Sequence, residues 1–486
     1  MNRLSQRGGT VARTLARAST GLLGLLALGC SAVATDEYRR PDVVAPDGYR
    51  QAEPAALAAA QAIQPDWWSG FRDPVLNDLI DRSIAGNLDL RIAVARVQEA
   101  ETAIGQVNAA RLPSLTAGSN ISADGARNPF TGKFSTTENY GANTQLSWEL
   151  DTWGKLEQGV KARRAAYRAS EADWRAVHLR TVSQVATSYF LLRQLDEQSD
   201  IQDRSLEAAQ AALKIFTNQQ REGLVSNTEV LRQQAEVTSI ERGRLELQRQ
   251  RDLAELTLAT LLGVPADELA IATAPLTTTV QELPIPAGLP SELLSRRPDV
   301  VAAEYRVLEA HELVGQARLA RLPSIRLTGN GNGGSDLASA TLSTFVKSLT
   351  FGVGPSVQIP VFDPTVRARL RTTSATAQTR EAEYRRAVLA AFQEVESALL
   401  NIENRRRQRD AIEAELTKLR QVAQQTQAQL ELGLVNQLEV LESQRRLLAV
   451  DRAMLEVHQN ILSDTVQLYK ALGGGWDADV VAEAAL

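Results

Sequence analysis

The chain has 486 residues, enough for a large core, yet only 5% of them are aromatic and the formal charge is −5. Four cations, Arg3, Arg7, Arg13 and Arg17, lie in the first 29 residues with no acid among them, so losing that segment takes −5 to −9. An acidic chain of this kind speaks against nucleic acid as a partner, and its wealth of Ala, Leu, Gln, Arg and Glu is that of long helices.

Residues 1–29 have a basic start, an apolar run GLLGLLAL at 21–28 and small residues before Cys30, the layout of a secretory signal peptide. The run is too short to span a bilayer. Cys30 is the only cysteine, so no intramolecular disulfide forms in the oxidising space the chain enters. ALGC at 27–30 resembles the bacterial lipobox, with Ala where Leu is usual, and Ser31 resembles the outer membrane sorting signal. The resemblance implies covalent lipid on Cys30. Several acyl chains, at about 0.8 kcal/mol per buried methylene, anchor a terminus durably.

The chain is written twice. NLDLRIAVARVQEAETAIGQVNAARLPS (87–114) recurs 210 residues later as RPDVVAAEYRVLEAHELVGQARLARLPS (297–324), with 13 identities in the 26 positions from Asp89 to Ser114. GLVSNTEVL (223–231) recurs at the same offset as GLVNQLEVL (433–441). One offset across two distant blocks means that both halves carry the same order of elements.

All 17 prolines lie at or before Pro129, between Pro265 and Pro323, or at Pro355, Pro360 and Pro364. The proline-free stretches 130–264 and 365–486 are therefore where long helices are predicted. Trp153 to Glu222 would be roughly 105 Å as one helix, and Thr365 to Leu432 nearly as long. Each ends at a glycine, Gly223 or Gly433, suited to the left-handed stop of a helix. A second helical run follows, about 228–262 and 438–472. In the latter, Leu441, Leu448, Leu455, Leu462 and Tyr469 fall seven apart, a packing seam rather than a cofactor box. Each half thus carries an antiparallel helical hairpin turning at GLV.

Between the helices the period changes to two. Tyr140, Ala142, Thr144, Leu146, Trp148 and Leu150 are mostly apolar, and Asn139, Gly141, Asn143, Gln145, Ser147 and Glu149 small or polar. Leu349, Phe351, Val353, Val357 and Ile359 alternate likewise. Their partners are 115–123 and 325–331, so each half holds one hairpin of roughly ten-residue strands, with loops around ARNPFTGKFSTT and GNGGSDLASATLSTF. No stretch after residue 30 approaches 18 continuous apolar residues, so a membrane crossing here has to be made of strands closed into a barrel. Four strands cannot close, whereas three chains pool twelve, along with twelve helical columns.

The segment GLPSELLSRRPDVVAAEYRVLEAHELVGQARLARLPSIRLTG (288–329), with WELDTWGKLEQGVKARRA (148–165), YFLLRQLDEQ (189–198) and both GLV turns, resembles the TolC-like outer membrane factors, in their efflux lipoprotein branch. The resemblance covers residues 66–474. It implies a mainly α protomer with a small β part, three copies of which build a 12-stranded transmembrane β-barrel continuous with a 12-helix periplasmic α-barrel and an equatorial domain. The expected parts are a signal peptide (1–29), a lipidated segment with equatorial residues (30–86), a first repeat (87–264), an equatorial linker (265–296), a second repeat (297–474) and a tail (475–486).

The same resemblance implies the outer membrane channel of a tripartite efflux system in a Gram-negative bacterium. Its partners would be a periplasmic membrane-fusion adaptor, an inner-membrane resistance-nodulation-division pump and outer membrane lipid, with no nucleic acid. It places the periplasmic tips, where an adaptor docks, at Gly223, Leu224 and Val225 and at Gly433, Leu434 and Val435. It places a gate at Glu439 and Glu442, with Glu229 matching Glu439 in the first half and Arg232 standing where Glu442 would recur. Rings of three such glutamates favour cations, and Arg232 or Arg221 is expected to pair with tip glutamates of a neighbouring helix pair. Trp148 and Trp153 suit either a membrane-interface belt or core packing, while Trp67, Trp68 and Trp476 suit belt packing. Protein secretion of type I and a pore-less periplasmic coiled-coil adaptor are the competing readings.

No catalytic residue, metal site or cofactor is expected. His178, His311 and His458 stand apart without a metal-binding motif, and GNGNGGSD (329–336) lacks the lysine of a phosphate loop.

Overall fold

The computed structural model describes residues 38–42, 63–284, 296–336 and 348–474. The expected signal peptide, Cys30, Ser31, Trp476 and the tail lie outside the described residues, as does part of the linker. In chain order the elements are α1 (Pro74–Gly86), α2 (Leu88–Ala109), β1 (Ser114–Arg127), β2 (Phe134–Leu150), α3 (Lys155–Arg221) and α4 (Asn227–Leu262). There follow α5 (Pro298–Leu319), β3 (Ser324–Asp336), β4 (Thr350–Gln358), α6 (Pro364–Glu431) and α7 (Gln437–Ala471). Helices α3 and α6 run unbroken for 67 and 68 residues, as the absence of interior prolines predicts.

Aspartates start three of the helices. Asp73 accepts hydrogen bonds from the backbone of Val75 and Leu76, Asp363 from Thr365 and Val366, and Asp151 from Leu156 and Glu157. Each relieves amide donors that the first turn leaves without a helical partner. Proline follows two of the three caps, at Pro74 and Pro364, where a missing N–H costs nothing.

The described chain forms two compact units, each drawing on both halves of the duplicated sequence. One holds residues 99–168, 304–336 and 348–383 with 38–41, and contains the sheet. The other holds 42, 63–98, 169–284, 296–303 and 384–474, and contains the helical tips.

In the first unit four antiparallel strands lie in the order β1-β2-β3-β4. The hairpins of the two halves are joined through β2 and β3, paired from Asn139↔Asp336 to Leu150↔Ile325. The first hairpin is longer than the expected ten residues per strand, with β1 at 14 and β2 at 17. Asp124, Gly125 and Ala126 on one strand and Ser135 to Glu138 on the other fall outside the alternating runs. Their backbones pair all the same, and only Asn128 to Lys133 turns. Trp148 and Trp153 lock this end of the sheet, their indole N–H groups donating to the carbonyls of Arg111 at 2.8 Å and Pro323 at 2.7 Å. Both acceptors belong to the repeated RLPS motif that leads into β1 and β3.

In the second unit the core gathers Phe71, Leu76, Ile80, Val185, Phe190, Leu258, Leu276, Leu462 and Tyr469. Trp67 stacks on Tyr469 with ring centroids 5.0 Å apart, and Phe71 meets Phe190 edge-on at 4.9 Å. Leu269, Ile271, Val280 and Leu283 of the proline-rich connection join this core rather than forming one of their own. Arg193 is fully buried there, donating to Tyr189, Asp196 and the carbonyl of Ala272, while the Tyr189 hydroxyl donates to Asp73. That satisfaction is what makes a buried charge tolerable. Helices α1 and α4 end against each other, where a Cβ on Gly86 would sit 2.3 Å from the carbonyl oxygen of Leu262 and one on Gly263 2.3 Å from that of Gly86.

Candidate functional site

The two helical tips are built alike, bond for bond. Gly223 has φ of 72° and Gly433 of 70°, and each turns its helix off in the left-handed region. The amide of Leu224 donates to the carbonyl of Gln219 and that of Gly223 to Gln220; Leu434 donates to Gln429 and Gly433 to Leu430, all within 2.9–3.0 Å. The residues that follow the two glycines, Leu224 and Leu434, are 73% and 70% exposed. Val225 and Val435 are half-buried.

Past the turns the halves diverge. Asn436 caps α7 by accepting from the backbone of Glu439, whereas Ser226 makes no side-chain cap on α4. Glu439 and Glu442 are exposed. Arg232 reaches back one turn to Glu229 on its own helix at 3.3 Å, and Arg221 lies 3.4 Å from Asn218. Within the chain, then, these arginines are engaged locally, because a spacing of three places two side chains on one helix face.

Features that sequence reasoning missed bring the two tips together. Val230 of α4, Leu441 of α7 and Ala212 and Phe216 of α3 form a buried apolar cluster, so residues from the two hairpins share one small core. Arg445 of α7 pairs with Glu236 of α4 at 3.3 Å. That pair lines a cavity of about 500 Å³ between α3, α4 and α7, together with Gln202, Gln233, Leu441, Leu448 and Arg452. Nothing local in the sequence signals the pairing of α7 with α3 and α4, since Leu441 and Arg445 lie more than 200 residues from Phe216, Val230 and Glu236.

The sheet is the second functional surface. Register places Leu115, Ala117 and Ile121 opposite Leu146, Thr144 and Tyr140, then opposite Gly329, Gly331 and Ser335 on β3. Gly329 and Gly331 in turn face Val353 and Phe351 on β4. The mostly apolar residues of all four strands therefore fall on one face, and it is bare: Ile121 is 85% exposed, Phe351 78% and Val353 71%. The opposite face reads Thr116, Gln145, Asn330 and Gly352 across the sheet, with Asn120, Asn143, Asn332 and Thr328 beside them. At the end nearest the helices that face carries Glu149, which pairs with Arg326 across the strands at 3.2 Å and with Lys155. Among the described residues β1 and β4 pair on one side only, so both edges of the sheet are open.

No helix among the described residues is long and apolar enough to cross a membrane. Among the same residues no group of three His, Cys, Asp or Glu is placed to hold a metal ion.

Residues 79–264 and 289–474 each match the outer membrane efflux protein family, two matches for the two halves of the duplication. The chain belongs to that family. It is 32% identical over 437 residues to the pyoverdine export outer membrane protein OpmQ of Pseudomonas aeruginosa, covering 87% of this chain and 90% of OpmQ. It is 32% identical over 463 residues to the probable outer membrane lipoprotein SilC of Salmonella typhimurium, covering 92% and 96%. The solved outer-membrane channel OprN superimposes with a TM-score of 0.79 at 28% identity, over 92% of this chain and all of that one. As an outer membrane efflux protein the chain is a transport channel of the outer membrane, with the mainly helical, partly β fold of these ducts. The bare apolar face of the sheet is thereby accounted for, as the surface such a protein turns to lipid.

Proposed function

We propose that three copies of this chain form an efflux duct. Each would contribute four strands to a 12-stranded barrel and four helical columns to a periplasmic conduit. The duct would take small molecules from an inner-membrane pump of the resistance-nodulation-division type, through a membrane-fusion adaptor, to the outside. The observation that carries this reading is the four-stranded sheet with one apolar face, one polar face and two open edges. An open edge in lipid leaves backbone groups without partners at several kcal/mol each, so the edges have to be paired by further copies. A small-molecule cargo is favoured by the likeness to OpmQ, which is named for pyoverdine export. Acylation of Cys30 is favoured by the lipobox pattern and by the likeness to SilC, which is named a lipoprotein.

The tips would serve as adaptor docking points and as the gate. Leu224 and Leu434 offer exposed apolar contacts there, and the cavity lined by Gln202 and Arg445 offers a groove. Glu439 and Glu442 would ring the constriction, with Glu229 held by Arg232 and available to a neighbouring copy when that pair opens. Charge reversal at both, Glu439→Lys with Glu442→Lys, is expected to raise conductance in planar bilayers and to cut cation preference. Unchanged conductance and selectivity would remove these two residues from the gate.

A further inference from the structure

Bare apolar side chains do not stop where β4 stops. Gln358 is the last paired residue, and the chain then bends, the amide of Val361 donating to the carbonyl of Ile359 at 3.0 Å, with Ile359 and Val361 57% and 86% exposed. Phe362 follows at 77% exposed, and the helix begins two residues later. Pairing of an open edge with another copy joins strands in the plane of the sheet and leaves its faces uncovered. On the reading proposed above, Ile359 and Val361 therefore lie at the periplasmic boundary of the lipid, the side from which the helices leave.

Cations without acids come next. Between Asp363 and Glu381 the sequence contains Arg367, Arg369, Arg371 and Arg380 and no carboxylate. Arg380 is paired with Glu383, and Asp363 is occupied in capping the helix. Arg367, Arg369 and Arg371 are exposed, and among the described residues none has an acidic partner within 4 Å. Arg367 lies over the ring of Phe362, its guanidinium carbon 5.8 Å from the centroid. Arg371 is one turn further along the same flank of α6, whereas Arg369 lies roughly 200° away from Arg367. An aromatic ring at the edge of the hydrocarbon, with two unpaired arginines a few ångströms beyond it, matches a lipid that ends in an anionic headgroup.

We propose that the β4–α6 junction binds an anionic phospholipid of the periplasmic leaflet. Val361 and Phe362 sit among its upper methylenes, and Arg367 and Arg371 take its phosphate. The proposal rests on the channel reading, and three copies would give three such sites around the duct.

The test uses the purified full-length protein. Planar-bilayer currents first establish the channel. Native mass spectrometry of delipidated protein then measures uptake of phosphatidylglycerol against phosphatidylcholine. Wild type is expected to prefer phosphatidylglycerol. Arg367→Gln with Arg371→Gln should weaken its binding about 30-fold, near fivefold for each arginine at a membrane surface, with currents unchanged. Arg369→Gln, on the other flank, should stay within about twofold. Equal retention by the double variant, or an equal loss from Arg369→Gln, overturns the site. So does a shift in ion selectivity with lipid uptake unaltered, which would turn these arginines toward the cargo. Wild type without currents sinks the channel reading and the lipid site together, whereas normal currents with equal retention sink the lipid site alone.

Discussion

At the scale of single residues, burial and bonding decide what the polar groups do. His178 sits beside Trp174 on α3, ring centroids 6.1 Å apart, and burial lowers its pKa from 6.5 to about 4. Between those values the unfolded chain binds a proton that the folded chain does not, so stability falls as pH drops from 6.5 toward 4 and levels off below. The loss is at most about 3 kcal/mol. His178→Phe should flatten this part of the profile, so that thermal midpoints at pH 7 and pH 4.5 differ less than in wild type. An equal drop in both proteins would refute the buried neutral ring. The tip glycines were legible in advance because a repeated glycine after a long helical run has few other uses. The anchoring of Trp148 and Trp153 on Arg111 and Pro323 was not, since an indole N–H gives no sign in sequence of which carbonyl it will meet.

At the scale of elements, the sheet shows how a period-two pattern becomes a membrane surface. Gln145 and Leu146 are neighbours in β2, but one faces the polar side with Asn330 and the other the apolar side with Leu115. Leu146→Arg is expected to cost about 2–4 kcal/mol in a bilayer, and Gln145→Arg far less while altering ion selectivity. Urea unfolding from liposomes compares the two; similar costs would mean that the faces have been assigned wrongly. The alternation itself was visible residue by residue. Its extension through Asp124 to Ala126 was missed because backbone pairing needs no particular side chain. The helices were easier: a proline-free run of that length bounded by aspartate and glycine has few alternatives. The leucine seam of α7 is buried at Leu441, Leu455, Leu462 and Tyr469 and half-buried at Leu448, which packs on the core and, with Leu441, lines the cavity.

At the scale of the whole molecule, the open edges carry the strongest consequence. Within one chain β1 and β4 are separated by two strands, about 14 Å apart at the usual spacing, beyond the reach of a disulfide. Cysteines placed on β1 at Thr116 and on β4 at Ser356, joined by a short bifunctional maleimide, are expected to give cross-linked trimers on denaturing gels. Species no larger than one chain would contradict closure between copies.

What the sequence determined by itself was whatever is local or periodic: the duplication, the length and limits of the helices, the two faces of each strand, and the tip turns. Those properties depend on a residue and its near neighbours along the chain, which is where proline, glycine and alternation act. Tertiary structure alone decided that β2 pairs with β3 so that four faces merge into one. It also decided that Val230 and Leu441 close a common tip core. Both of these join residues far apart in the chain. Packing makes such choices, because no residue encodes the identity of a distant partner.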